Sequence, residues 1–330
     1  MKRACGFVIL IFLFIVQLCY AQNKQLDSLK QVLENTTGDT NRVNTLNELS
    51  NKIESFGNYE RSKKYADDAL ALSNELNFKK GTASAYNNLG LAYYDQRDYN
   101  NALKCFLESF KICEEIKNTK GIAAYYNNVG LIYIEQEKYS EANKYFTSCQ
   151  KIYKIINDKE GIARCYNNIG NVYRRQGEYK KALRTYYKAL KTERKNNDKL
   201  SIACSYSGIG NVYYDKDKYK EAIKNHLESL RIEQEINNKD GEAVSYMDIG
   251  NVYSYQENHT EAIKNYVYAL KIEKEIDNKL TMFDLYTYIG SEYKKIEKFN
   301  EAKYYFDLRR QLATEIQYLD SDRLKQLSEE

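Results

Sequence analysis

Residues 166–179 read YNNIGNVYRRQGEY, and the same register returns as YNNLGLAYYDQRDY at 86–99, YNNVGLIYIEQEKY at 126–139, YSGIGNVYYDKDKY at 206–219, YMDIGNVYSYQENH at 246–259 and YTYIGSEYKKIEKF at 286–299. Gly90, Gly130, Gly170, Gly210, Gly250 and Gly290 follow one another at a strict spacing of forty. A degenerate copy, LNELSNKIESFGNY at 46–59, precedes them, with Ser50 in place of the glycine and Ile53 in place of the second tyrosine. A fixed period of this size marks a solenoid rather than a string of independent domains. We divide the chain into an N-terminal cap at 22–40, seven units (41–80, 81–120, 121–160, 161–200, 201–240, 241–280 and 281–320) and a tail at 321–330.

The class is all-α. The 330 residues contain no proline, and β-branched residues rarely alternate with polar ones, so long helices are favoured over strands. Within a unit, Tyr166, Ile169, Gly170 and Tyr173 share one face of a first helix. A glycine inside a helix costs about 1 kcal/mol relative to alanine, so its regular return calls for a compensating close approach by another helix. A second helix follows, with Ala182, Leu183, Tyr186, Ala189 and Leu190 as its apolar stripe. Asn100, Ser140, Thr260 and Asn300 are its expected N-caps. Pairs such as Ile232 with Ile236 extend the stripe, so this helix is expected to be unusually long, ending at asparagine-rich phrases such as NNDKLS and NNKDG. Leu26, Leu29 and Leu33 are expected to cap one end of the stack, and the segment from Leu312 to Leu327 the other.

The first 21 residues have the layout of a secretory signal peptide. Lys2 and Arg3 precede an uncharged stretch from Ala4 to Ala21, and Cys19-Tyr20-Ala21 is a small-residue cleavage site. Secretion or a periplasmic location is expected, with an uncleaved N-terminal anchor as the competing reading. Past Ala21 no second apolar segment occurs, so no membrane span is expected after cleavage. Cys105, Cys113, Cys149, Cys165 and Cys204 are odd in number and form no CxxC motif, which argues for buried free thiols and against a disulfide framework. A single bridge, Cys149 to Cys165, is the pairing left open.

The pattern Tyr86, Leu89, Gly90, Tyr93, Ala102 and Phe106, recurring six times, resembles the tetratricopeptide repeat. Tyrosine stands where that family often has tryptophan, and the proline after the second helix is missing. The phrase Ile-Gly-Asn at 169–171, 209–211 and 249–251 is similar to an extended 40-residue subclass found in kinesin light chains, Gα-binding polarity regulators and peptide-sensing bacterial regulators. The resemblance implies an α-solenoid, a right-handed superhelix of stacked antiparallel helix pairs. It also implies a concave groove lined by the first helices, into which Asn87, Asn127, Asn167, Asn171, Asn211 and Asn251 look.

An asparagine amide both donates and accepts, so such a ladder suits the backbone of an extended peptide. For Asn88, Asn128 and Asn168, bonding between helices is an equally good reading. Tyr214 with Asp215, and Arg174 with Arg175, continue the groove face, and Arg164 lies on the same helix face. Residues 161–200 hold eleven Lys and Arg against three acids, a net of +8 that no other unit approaches. Much of that excess, on the second helix, reads as a solvated convex face partly neutralised by neighbours such as Glu228. Arg164, Arg174 and Arg175 read as ligand contacts, because three cations at one level of a groove repel unless an anion pairs them. The expected ligand is therefore an acidic or carboxylate-bearing peptide segment. The carboxylate clamp of chaperone-binding relatives is absent, since asparagine replaces its lysine at 87, 127 and 167.

His226 and His259, the two histidines, replace aromatics of the repeat and read as packing or surface residues. Gly208-Ile-Gly210 lacks the third glycine and the strand of a dinucleotide loop, and no zinc-protease, nucleophile-elbow or phosphate-loop motif occurs. An enzyme is not expected, nor a cofactor or metal. Basic residues concentrated in one unit form a patch rather than a nucleic-acid track. Two functional readings remain. One is a secreted or periplasmic interaction scaffold holding a peptide or protein segment; the other is the sensory part of a signalling system whose effector is a separate, membrane-bound partner.

Overall fold

The structure, a computed structural model, describes residues 28–36, 38–54 and 59–317. The expected leader, Leu26, the tail at 321–330 and the C-terminal cap beyond residue 317 lie outside the described residues. Residues 28–35 are helical (α1). Paired helices follow: α2 (Thr40–Glu54) with α3 (Tyr59–Glu75), α4 (Lys79–Asp95) with α5 (Tyr99–Glu115), α6 (Thr119–Glu135) with α7 (Tyr139–Ile155), and α8 (Lys159–Arg175) with α9 (Tyr179–Asn196). The remaining pairs are α10 (Lys199–Tyr214) with α11 (Tyr219–Glu235), α12 (Lys239–Tyr255) with α13 (His259–Ile276), and α14 (Lys279–Lys295) with α15 (Phe299–Gln317). The chain is an all-α solenoid, and no strand occurs among the described residues. Its helices group into two compact units, one up to Ile116 and one from Lys117 onward.

The repeating glycine is explained by a ring. A Cβ added at Gly90 would lie 2.4 Å from Phe106, at Gly130 2.7 Å from Phe146, at Gly170 2.8 Å from Tyr186, at Gly250 2.6 Å from Tyr266 and at Gly290 2.8 Å from Phe306. In these five pairs the second helix thus presses an aromatic ring against the glycine of the first. His226 takes this place against Gly210, where a Cβ would meet it at 2.6 Å. That is the packing role expected of it. Unit 1 closes around Leu46, Ala69 and Ala85, with Leu33 of the N-terminal cap packed on them. Unit 2 has several such clusters, among them Ala182, Tyr186, Leu190, Ile209 and Val212. Another reaches from Ala243 to Leu312.

Helix ends depart from expectation in two ways. The N-caps of α5 and α13 are Asp98 and Asn258, whose carboxylate and amide oxygens accept from the backbone N–H of Asn101 (3.1 Å) and Glu261 (3.3 Å). Lys138 occupies the corresponding place before α7, so Asn100, Ser140, Thr260 and Asn300 lie inside their helices. The cause is the residue just upstream, which is left-handed in every unit of this kind: Arg97, Glu137, Gly177, Asp217, Glu257 and Glu297. It closes a tight turn in which, for example, the N–H of Asp98 donates to the carbonyl of Tyr93 (2.9 Å). Nor are the second helices unusually long: α5 and α7 equal their first helices at 17 residues, and α9, α11, α13 and α15 exceed theirs by only one or two residues. The first helices begin seven residues before their first tyrosine. Asn157, Asn197 and Asn237 do adopt the left-handed conformation that ends the second helices.

The five cysteines among the described residues are free; Cys113, Cys149 and Cys165 are buried, Cys105 is half-buried and Cys204 is exposed, against the expectation of burial. Cys149 is not bridged to Cys165, although both belong to one apolar cluster with Ala123 and Tyr153.

Candidate functional site

In unit 2 the first helices draw together, α8 against α10 and α10 against α12, and form an inner face. Side-chain bonds tie neighbouring first helices rung by rung. Asn168 Nδ2 donates to Asn127 Oδ1 (2.7 Å), Arg174 Nη1 to Asp215 Oδ2 (2.9 Å), Ser207 Oγ to Asp248 Oδ2 (3.2 Å) and Ser254 Oγ to Glu292 Oε1 (2.8 Å). Each bond spans nearly one repeat, so the period that aligns the glycines also aligns the polar rungs.

The expected site residues sort into three groups. Asn127, Asn167 and Asn251 are engaged within the protein. Asn127 also donates to Asn128 Oδ1 (3.2 Å), and Asn251 accepts from the Tyr266 hydroxyl (2.8 Å). Asn167 donates to Glu193 Oε1 (3.0 Å) and accepts from Ser205 Oγ (2.7 Å). Bonding between helices therefore claims members of both asparagine rows, and not only Asn88, which donates to the Asn47 carbonyl (2.9 Å). Asn87, half-buried on α4, belongs to unit 1.

The second group is the arginines, and the structure removes their common level. Arg164 is exposed and lies over the Tyr153 ring at 5.9 Å, ten residues or about 15 Å along α8 from Arg174. Arg174 is already paired with Asp215, both side chains being about one-fifth exposed (21% and 23%). Arg174 therefore needs no external anion, because its counter-charge comes from α10. Arg175 is exposed with no ionic partner among the described residues.

The third group faces the open side. Asn171 is half-buried and receives a long contact from Arg174 Nη2 (3.4 Å). Asn211 is half-buried, with no side-chain hydrogen bond among the described residues. Tyr214 meets Tyr255 edge-on at 5.2 Å and Tyr219 at 6.3 Å, and burial pushes its hydroxyl up to about 12.

Several inner groups escaped the sequence. Tyr186 threads between two first helices because Gly208 makes room: a Cβ there would lie 2.4 Å from the ring. The signal was the extra glycine in YSGIG. His226, 1% exposed, places Nδ1 3.5 Å from Asp248 Oδ2. Burial holds its imidazole below the ordinary value, and the Asp248 carboxylate works the other way. His259 Nδ1 lies 2.6 Å from Glu292 Oε2. Burial works to raise that carboxyl, but Lys295, His259 and Ser254 together hold it below its ordinary value.

A column of glutamates, Glu193, Glu233 and Glu273, repeats every forty residues near the ends of α9, α11 and α13, and all three are buried. Burial pushes Glu193 up to about 7, against hydrogen bonds from Ser205 and Asn167. Burial and the neighbouring Asp240 push Glu273 up to about 8, with Asn278 working against them. The recurring glutamate beside the apolar stripe was the available sign.

Among the described residues no group of three or more His, Cys, Asp and Glu is placed to hold a metal ion, and no helix is long and apolar enough to cross a membrane.

The sequence profile of the tetratricopeptide repeat matches residues 41–115, 81–155, 121–195 and 201–275. The chain belongs to the tetratricopeptide repeat family. No curated protein matches it. Solved structures share the fold of this tetratricopeptide protein at low identity. One is NprR in complex with its cognate peptide NprX, at 17% identity and a TM-score of 0.59, covering 96% of this chain and 94% of that one. A second is a Rap protein complexed with competence and sporulation factor, at 13% and 0.57, covering 92% and 100%. A third is a signal transduction ATPase with a tetratricopeptide repeat sensor from Pyrococcus horikoshii, at 18% and 0.55, covering 91% of this chain but 46% of that one.

Proposed function

We propose that the protein is a non-enzymatic interaction scaffold that holds a peptide or protein segment along the inner face of unit 2. The observation that carries this reading is the central strip Asn171, Asn211 and Arg175. It is accessible, lies where the first helices converge, and keeps hydrogen-bonding capacity that the surrounding rungs do not use. An accessible amide that the protein leaves unused can pair with a ligand, and an extended peptide backbone supplies both donor and acceptor. Arg175, with no ionic partner among the described residues, is the contact for an acidic side chain or terminal carboxylate of the ligand. NprR, which shares the fold, was solved in complex with its cognate peptide NprX, which is consistent with this use of the inner face. The leader-like N-terminus supports a secreted or periplasmic setting for this activity, with an uncleaved N-terminal anchor as the alternative. In a second reading the same face is the ligand-binding part of a signalling system, its effector a separate protein. The repeat sensor of the Pyrococcus ATPase favours it.

The test is selection of a random peptide display library on the immobilised chain, in parallel with Asn211→Leu and Arg175→Glu variants of unchanged helicity. Enriched peptides should fail to bind the Asn211→Leu variant, and those carrying Asp, Glu or a free carboxylate should weaken most on Arg175→Glu. Peptides that bind all three proteins equally would remove the inner face from the function.

A further inference from the structure

The outer face of unit 2 carries a second periodic pattern, independent of the inner one. On α7, α9, α11 and α13 an exposed cation recurs every forty residues as Lys144, Arg184, Lys224 and Lys264. Seven residues further on, two helical turns or about 10 Å, comes a second row: Lys151, Lys191, Arg231 and Lys271, again all exposed. Between the rows lies an apolar one, Tyr187, Leu227 and Val267, which are 51%, 49% and 37% exposed. Cationic rows thus flank an unburied apolar row on successive helices.

Sequence alone suggested that neighbours such as Glu228 neutralise this face, but the structure shows otherwise at its centre. Glu228 bonds to Arg231 on its own helix (3.3 Å), as Glu261 does to Lys264 (3.2 Å). On α9 the one ion pair among the described residues is Lys181 with Glu178, at the edge of the stripe. Arg194 donates to the Tyr206 hydroxyl (2.6 Å). Lys180, Arg184, Lys188, Lys191 and Lys195 have no ionic partner among the described residues, and Tyr187 stands in their midst.

We propose that this outer face, centred on α9, docks on an anionic phospholipid bilayer. Charge complementarity calls for an anionic partner, and the apolar row selects which. A nucleic-acid backbone offers charge but gains nothing from covering Tyr187 and Leu227. A bilayer surface offers anionic headgroups and an apolar boundary beneath them, where a tyrosine ring sits with its hydroxyl in water. Lysine stems can lie along such a boundary with their ammonium groups among the headgroups. Headgroups also move laterally, so they can gather under cations that have no fixed geometry for a single ligand.

The experiment is co-sedimentation with vesicles of phosphatidylcholine alone and of phosphatidylcholine mixed with phosphatidylglycerol. The full chain and a form beginning at Gln22 are run together, so that insertion of the N-terminal apolar stretch is seen separately. The Gln22 form should bind the mixed vesicles, ignore the neutral ones and be released by high salt. Lys188→Glu with Lys191→Glu, both at exposed positions, should weaken binding by at least roughly tenfold, and Tyr187→Ser should weaken it while leaving the salt sensitivity in place. Duplex DNA and poly-glutamate are the competing partners. Binding to either of them without binding to the mixed vesicles, or equal vesicle binding by the charge-reversed variant, would overturn the proposal.

Discussion

Glu273 shows what a single residue contributes here. It sits beside the apolar stripe of α13, fully buried, with Asn278 as the one polar group that eases its ionisation. A carboxylate in that position is expensive, so the folded protein keeps the proton, and the group's pKa rises to about 8. In the unfolded chain it ionises near pH 4.3. Above that pH the unfolded state releases a proton that the folded state retains. Stability present at low pH is therefore lost as pH climbs towards about 8, at up to ~1.4 kcal/mol per unit. Glu193, pushed up to about 7, adds to the same trend over a narrower window. Asp158 has the opposite sign: the Gly161 N–H holds its carboxyl down, so its contribution is lost only on acidification. We predict a lower urea midpoint at about pH 8.5 than at about pH 5.5, with a visibly flatter profile for Glu273→Gln. A parent midpoint that does not fall between these values, or a Gln variant that falls as steeply, would contradict the assignment.

At the scale of the helix pair, the glycine and the aromatic facing it form the joint. Phe146 is fully buried, and its ring lies where a side chain at residue 130 would begin. Gly130→Ala gains up to about 1 kcal/mol in helix propensity but forces a ring in a packed core to move, which typically costs about 1–3 kcal/mol. With the full propensity gain, the net expectation is a loss of up to about 2 kcal/mol, read as a lower urea midpoint at unchanged slope. Adding Phe146→Leu to Gly130→Ala should recover part of it, because the smaller side chain vacates the place the new methyl needs. If Gly130→Ala stabilises the protein instead, the contact with Phe146 is not what keeps the glycine. The same joint explains why His226 and Tyr266 substitute for phenylalanine in the later repeats. Each brings a polar tip to the inner face, near Asp248 and on Asn251.

At the scale of the whole molecule, repeats contact their neighbours, so a set of repeats with its own core is expected to fold without the rest. The clusters around Phe146, Tyr186 and Tyr266 draw all their residues from unit 2. A fragment comprising residues 117–330 should therefore be helical by far-ultraviolet circular dichroism and unfold in one cooperative urea transition. A non-cooperative, sloping transition would show that unit 2 depends on the preceding residues. The number and register of the repeats, the all-α class, the packing glycines and the asparagine helix ends were determined by the sequence, because each follows from a local periodicity of side chains along one chain. The partners of the polar groups were not. Arg174 finds Asp215, Asn167 finds Glu193, and Glu228 stays with Arg231 on its own helix rather than neutralising α9. These choices depend on distances between helices that are separate in sequence, which the stacking of repeats alone fixes. For the same reason the left-handed turns at Arg97 and Glu137 set the N-caps two residues upstream of the expected Asn100 and Ser140, at Asp98 and Lys138.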